Sequence, residues 1–312
     1  MHSLLSPRYW PSWLAVGLVR LLGLLPFPLL WVLGMGLGRL VGRIALGRRR
    51  VARRNLELCL PELSPRERER LVSRHFGYLG VAALTQGLVW GASRRRLARL
   101  VQLRNRERFD ELHARGQNVI VLLPHFIGLE LGGAAFTALV NPGMFMYQRI
   151  RDPVIDARMR AGRMRFGGLS VERQDDLRGL VRKIRQGIPF FYLPDQDAGR
   201  WRGIFVPFCG VQASTYPMLG RFARLADAVV IPIHARYRPW GQGLEVIFGT
   251  PLASFPSGDE VADTTAMNQV IEGLIRTLPA QYFWVHRRFK TRPAGEPPLY
   301  PVDRRRARGS DA

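Results

Sequence analysis

His125 and Glu130 are the residues whose types and spacing point most directly to chemistry. His125 follows the run VIVLLP at 119–124, and Glu130 lies five positions further on. A β-branched and aliphatic run of this kind is expected of a strand buried on both faces. In parallel α/β sheets, ligands gather at the carboxyl ends of strands. A helix is expected to begin just after His125, so Glu130 falls in its first turns. From there its carboxylate is expected to reach back to the imidazole. A carboxylate so placed fixes the tautomer and supports the imidazolium that forms when histidine takes a proton. Deprotonating a hydroxyl nucleophile requires that pairing. A lone histidine at a strand end is more often structural, and the acid five residues on is what favours the catalytic reading. The chain shows no serine nucleophile elbow and no metal-ligand spacing, so neither a metal nor a cofactor is expected. Cys59 and Cys209 form no Cys-x-x-Cys pair and read as structural, as do His75 and His234. His286 reads as a residue that packs or touches headgroups rather than one of the site.

The elements that must position this pair follow an α/β rhythm. Strand-like runs recur at 119–123, 144–148, 189–193, 229–234 and 244–248. Helical stretches lie between them at 127–140, 153–166, 175–186 and 214–226, and this alternation predicts a mostly parallel central sheet flanked by helices. Further helices are expected over 65–90, where Ser64, Pro65 and Glu67 form a start signal, over 105–116, and over 263–278. The Pro- and Arg-rich tail after Pro293 is expected to be loosely ordered.

Residues 13–46 are apolar, with 18 uncharged positions between Arg20 and Arg39, close to the roughly 20 a membrane span needs. Pro26 and Pro28 interrupt the run, so a kinked span or a hairpin lying in the interface is expected. Arg48, Arg49, Arg50, Arg53 and Arg54 follow at once, which keeps the body on the cytoplasmic side. Gly34, Gly38 and Gly42 share one helix face and permit close packing. Trp10, Trp13 and Trp31 suit an interface. The expected organisation is an N-terminal membrane anchor over 1–46 and a catalytic domain over 47–312. The net charge is +23, and all but two of the 47 basic residues are arginines. Such an excess must face something anionic. Nucleic acid is disfavoured, because the arginines are scattered and no basic–aromatic strand or helix-turn-helix pattern is present.

With these residues in place, His125, four intervening positions and Glu130 resemble the His-x4-Asp/Glu motif of the lysophospholipid acyltransferase superfamily. The glutamate form resembles the lipid A late acyltransferases. Gly162, Arg163, Met164 and Arg165 are similar to that family's basic block, and YLPDQD at 192–197 to its Asp-containing strand end. VPF at 206–208, AST at 213–215 and YFWVHRRFKTRP at 282–293 complete the likeness, which covers roughly residues 10–295. The resemblance implies a glycerol-3-phosphate acyltransferase-like fold and a bacterial inner-membrane enzyme facing the cytoplasm. It further implies transfer of an acyl chain from acyl–acyl carrier protein to a hydroxyl of a 3-hydroxyacyl chain on a lipid A precursor. An acyl–CoA donor, or another membrane lipid as acceptor, is the alternative. His125, Glu130 and Arg163 are then the expected catalytic residues, with Arg149, Arg165, Asp195 and Asp197 binding substrate.

Overall fold

A computed structural model describes residues 4–172 and 177–301. The first two positions of the expected helix at 175–186, and the tail from 302 on, lie outside the described residues. The N-terminal part is helical: α1 (Trp10–Leu22), α2 (Phe27–Ile44), α3 (Leu46–Cys59), α4 (Pro65–Gly91) and α5 (Arg94–Leu100). The α/β body then runs β1 (Val101–Arg104), α6 (Glu107–Ala114), β2 (Asn118–Leu122), α7 (Leu129–Leu139), β3 (Met144–Tyr147), α8 (Pro153–Met164), β4 (Leu169–Glu172), α9 (Leu177–Arg185) and β5 (Phe190–Tyr192). It closes with β6 (Ile204–Phe208), β7 (Val211–Thr215), α10 (Leu219–Ala226), β8 (Ala228–Tyr237), β9 (Leu244–Phe248) and α11 (Glu260–Thr277).

Seven strands form one sheet in the order β1-β9-β8-β2-β5-β3-β4. Every pairing is parallel except that of β8 with β9. The mostly parallel sheet expected from the alternating pattern is therefore present. β2 sits in its middle, between β8 and β5. Val119 and Val121 face one apolar cluster with α4 and α7, while Ile120 and Leu122 face the other with α3, α10 and α11. That division accounts for the unbroken hydrophobicity of the strand. The short edge strands β1 and β4 are absent from the sequence reading, because four-residue strands with mixed polarity carry little periodic signal. The helix expected over 214–226 is shorter than its pattern, because residues 211–215 are claimed by an antiparallel hairpin with β6.

Pro26 and Pro28 break the N-terminal apolar run into α1 and α2, and Pro26 is the N-cap of α2. Among the described residues α2 is the one helix long and apolar enough to cross a membrane, by length and composition. Its glycine face packs on α4: a Cβ at Gly34 would meet the backbone of Val81, one at Gly38 the Phe76 carbonyl, and one at Gly42 the Phe76 ring. Gly80 answers from α4, where a Cβ would strike the Gly34 carbonyl oxygen. The Arg96 guanidinium holds the α1–α2 turn through the carbonyls of Gly23 (2.6 Å) and Leu25 (2.7 Å). The opposite face exposes Leu29, Val32, Leu33, Leu37, Leu40 and Ile44. Several arginines of the basic run are bound to the body: Arg49 and Arg53 pair with Glu69, and Arg48 donates to the Val285 carbonyl. α4 starts at a capping box in which Ser64 and Glu67 bond each other's backbone.

Two measurements test this packing. Gly80→Ala is expected to destabilise the fold by about 1–3 kcal/mol through overpacking against α2, whereas Gly36→Ala, which meets open space, should stabilise it by up to about 1 kcal/mol; denaturant unfolding of the detergent-solubilised protein reads both. His75 is fully buried in α4, and burial pushes it down to about 3, against a weaker opposing pull from the Ala280 backbone. The unfolded chain takes up a proton near the ordinary histidine value and the folded chain does not. Stability from this residue is therefore complete above about pH 6.5 and declines as pH falls towards 3. His75→Leu should flatten that decline in a pH series of unfolding midpoints.

Candidate active site

β2 and β5 are parallel neighbours in the register Leu122↔Tyr192. The ladder continues one step, with the Leu123 N–H donating to the Tyr192 carbonyl (2.9 Å). His125 stands three residues beyond Leu122, and Asp195 three residues beyond Tyr192. The two chains leave the sheet side by side, and the side chains meet. His125 Nδ1 lies 2.6 Å from Asp195 Oδ1, and the His125 backbone N–H donates to Oδ2 at 2.8 Å. A carboxylate can only accept, so Nδ1 carries the proton and Nε2 is left as the basic nitrogen.

Asp195 is 1% exposed. Burial by itself would raise its carboxyl, but the charge of His125 and the hydrogen bonds it donates outweigh burial and hold the group below the usual carboxylate range. The imidazole keeps some exposure, 22% of its side chain, so it opens outward while its partner is sealed. The loop carrying it is pinned by the closing segment of the chain. Ile127 N–H donates to the Gln281 carbonyl (2.7 Å), and Phe283 N–H to the His125 carbonyl (2.9 Å). Gln281 is itself locked to β8 through the backbone of Tyr237.

Glu130 does not reach His125, which corrects the expected pairing. It lies on α7, and its carboxylate is taken by Arg163 of α8. Arg163 Nε donates to Oε2 at 3.1 Å, and Nη2 bonds Oε1. Burial works against the Arg163 charge, but Glu130 more than restores it, so the guanidinium lies above its ordinary value. The guanidinium also covers the rings of Phe145 and Tyr147. Glu130 and Arg163 line an open, mostly apolar cleft with Leu123, Gly133, Thr137 and Phe145. His125 and Asp195 line a second, tighter cavity with Asn55, Tyr282, His286 and Arg288.

The other expected substrate residues divide. Asp195, expected to bind substrate, is instead the buried partner of His125. Asp197 accepts from Thr291 N–H (3.1 Å) and Oγ1 (2.9 Å), and its own N–H donates to His286 Nε2 (3.1 Å). It therefore ties the loop after β5 to the closing segment rather than facing a ligand. Arg165 donates to the carbonyls of Val89 and Ala92 at the end of α4 and covers the Phe166 ring. Carbonyls left over at a helix end are a natural sink for an arginine, so this residue, too, is structural. Arg149 is exposed two residues beyond β3, at the same carboxyl edge of the sheet. His286 is held down to about 4, chiefly by burial and then by the charge of His125.

Asn55, Gln281 and Arg288 escaped the sequence reading. Asn55 Nδ2 donates to the carbonyls of Trp284 and His286, both at 2.7 Å. For Gln281 and Arg288 the available signal was their place as polar residues on either side of the apolar run Tyr282–Val285, which only tertiary contact explains. Among the described residues no group of three His, Cys, Asp or Glu side chains is placed to hold a metal ion.

Comparison with known proteins agrees with this architecture. The family model described as bacterial lipid A biosynthesis acyltransferase matches residues 1–291. The lipid A biosynthesis lauroyltransferase of Escherichia coli (strain K12) is 38% identical over 301 residues, covering 96% of this chain and 97% of the relative. The lipid A biosynthesis palmitoleoyltransferase of the same organism is 33% identical over 300 residues, with 96% and 97% covered. The lipid A biosynthesis myristoyltransferase is 29% identical over 306 residues, with 96% and 95% covered. A match of this identity and extent leaves one assignment: the chain belongs to the bacterial lipid A biosynthesis acyltransferase family and is an acyltransferase.

Proposed function

We propose that this enzyme transfers a fatty acyl group from acyl–acyl carrier protein to a hydroxyl on a 3-hydroxyacyl chain of a lipid A precursor, with His125 as general base. The observation that carries this reading is the His125–Asp195 pair at the carboxyl end of the central strand; the apolar cleft whose wall holds the Glu130–Arg163 ion pair is lined by Leu123 and Leu193, two residues before each member of that pair. The superfamily resemblance supports a glycerol-3-phosphate acyltransferase-like fold.

The reaction balances with this chain's own groups. His125 Nε2 removes the hydroxyl proton as the oxygen attacks the thioester carbonyl. Asp195 holds the ring and balances the imidazolium. The positive N-terminal end of α7, which starts at Leu129 after the His125 loop, stabilises the oxyanion. Arg163, held by Glu130, offers its remaining N–H donors at the wall of the cleft. When the tetrahedral intermediate collapses, the carrier thiolate leaves and takes the proton back from His125. No acyl-enzyme is required. The acyl chain occupies the apolar cleft, and Arg149 at the sheet edge attracts the phosphorylated acceptor or the acidic carrier.

The exposed apolar face of α1 and α2 supports residues 1–46 as the membrane-anchoring part, with residues 47–312 forming the catalytic domain on the cytoplasmic face of the bacterial inner membrane. Arg39, Arg43, Arg48 and Arg50, in the C-terminal part of α2 and the first turns of α3, are exposed, as contact with anionic headgroups requires.

Mass spectrometry of lipid A from cells with and without the chain tests the assignment. An added acyl group on the precursor is expected, and an unchanged acylation pattern would exclude lipid A as the acceptor. His125→Ala should lower kcat/KM by about 10²–10⁴-fold, and Asp195→Asn should do so by a comparable factor through the wrong tautomer, with the fold intact by circular dichroism. Glu130→Gln and Arg163→Met should each weaken turnover. Because the two act as one ion pair, the double variant should be little worse than the poorer single one; strictly additive losses would separate their roles.

A further inference from the structure

Arg288 is an unusual residue to find beside a general base. It is 3% exposed, yet its hydrogen bonds go to neutral acceptors: the Ser214 carbonyl and Thr215 Oγ1, both at 2.6 Å. Its Nε is buried without a hydrogen-bond partner, and its guanidinium lies over the Phe208 ring. A buried guanidinium is tolerated when a buried anion lies close by. Glu245 is taken up by Arg104 and Arg236, and Asp263 accepts from Ser257. Asp195 is the buried carboxylate that shares a cavity with Arg288. We propose that Arg288 is a positioning residue for the reaction: its buried charge balances the Asp195 carboxylate, so that the His125–Asp195 pair rests as neutral imidazole plus carboxylate, ready to accept the substrate proton.

The reasoning is electrostatic and rests on His125 being the base. The resting pair carries one net negative charge inside the protein. Taking up a proton makes it neutral, and burial favours the neutral form. A fixed positive charge nearby opposes that uptake and keeps the base available. Attractions to Tyr282, Asp195 and Asp197 run counter to the burial that pushes Arg288 below its ordinary range. The imidazole is faced by Asp195 from the loop after β5, and by Tyr282 and His286 from the closing segment. Asp197 and Cys59 lie around the same cavity region, while Glu130 and Arg163 neutralise each other on the α7 side. Arg288 is the permanently charged cation in that set that no carboxylate contacts directly.

The test is the pH dependence of kcat/KM for acyl transfer by the full-length, detergent-solubilised enzyme. Arg288→Met should move the acidic limb to higher pH by about one unit, so that activity lost near neutrality returns as pH is raised. Arg288→Gln keeps hydrogen-bonding capacity towards Ser214 and Thr215 but not the charge; it should shift the limb in the same way even if Arg288→Met folds poorly. Arg288→Lys and Thr215→Val, which retain the charge, should leave the limb within a few tenths of a unit of wild type. A uniform loss of rate in Arg288→Gln, with the limb unmoved, would overturn the proposal and leave Arg288 a packing residue. His125→Ala in the same assay separates the two readings. If it keeps the wild-type rate, the general-base assignment itself falls. If it is inactive while the Arg288→Gln limb stays in place, only the role of Arg288 is lost.

Discussion

The arrangement depends on the register between β2 and β5. In a parallel pair, equal numbers of residues beyond a matched pair bring two chains out of the sheet at the same level and in the same direction. Leu122 is matched to Tyr192, so the third residue after each arrives at one place, and those residues are a histidine and an aspartate. A slip of one position would turn each side chain to the other face. The dyad is thus only as rigid as the ladder beneath it, which is buried on both sides by side chains that alternate between two apolar clusters.

The closing segment extends that rigidity past the sheet. The Phe126–Tyr282 bridge and the bonds on either side of it hold the His125 loop as if by a short added strand. Asn55 fixes the same segment from α3, and Asp197 and Thr291 fix it from the loop after β5. The proposed general base gains from such bracing, because its own exposure would otherwise leave the ring free to rotate. The ion pair of Glu130 and Arg163 sits apart from this bracing, on the helices that line the apolar cleft. The site therefore has two charged pairs with different surroundings: one carboxylate sealed beneath a base, the other clamping a cation at the surface of a groove.

The arginine content looks different once placed. Part of it meets no acidic partner but terminates helices and pins turns: Arg96 on the α1–α2 turn, Arg165 on the end of α4, Arg48 on Val285. A planar guanidinium with five donors suits leftover carbonyls well. The net charge still implies an anionic partner, but it overstates how much basic surface is available to one. The glycines of α2 underwent a similar change of meaning. Their spacing permits close helix approach, and the partner is α4 of the same chain, which leaves the leucine-rich face outward.

Sequence alone determined the α/β class, the central strand ending at His125, the break at Pro26 and most helices, because each is written in local periodicity, capping and proline geometry. The family resemblance also singled out residues 125, 130, 163 and 195. It could not determine how they pair. Glu130 is near His125 along the chain, and that nearness suggested contact; α7 carries it off to Arg163. Asp195 is 70 residues away and meets the imidazole because two strands lie side by side, a relation that no local pattern encodes. The same holds for Arg165, whose basic block gave no hint that its acceptors were helix-end carbonyls, and for Arg288, whose importance depends on a buried neighbour. Local propensity writes the elements, but contact between side chains far apart in sequence is decided only when the sheet sets its strand order and register.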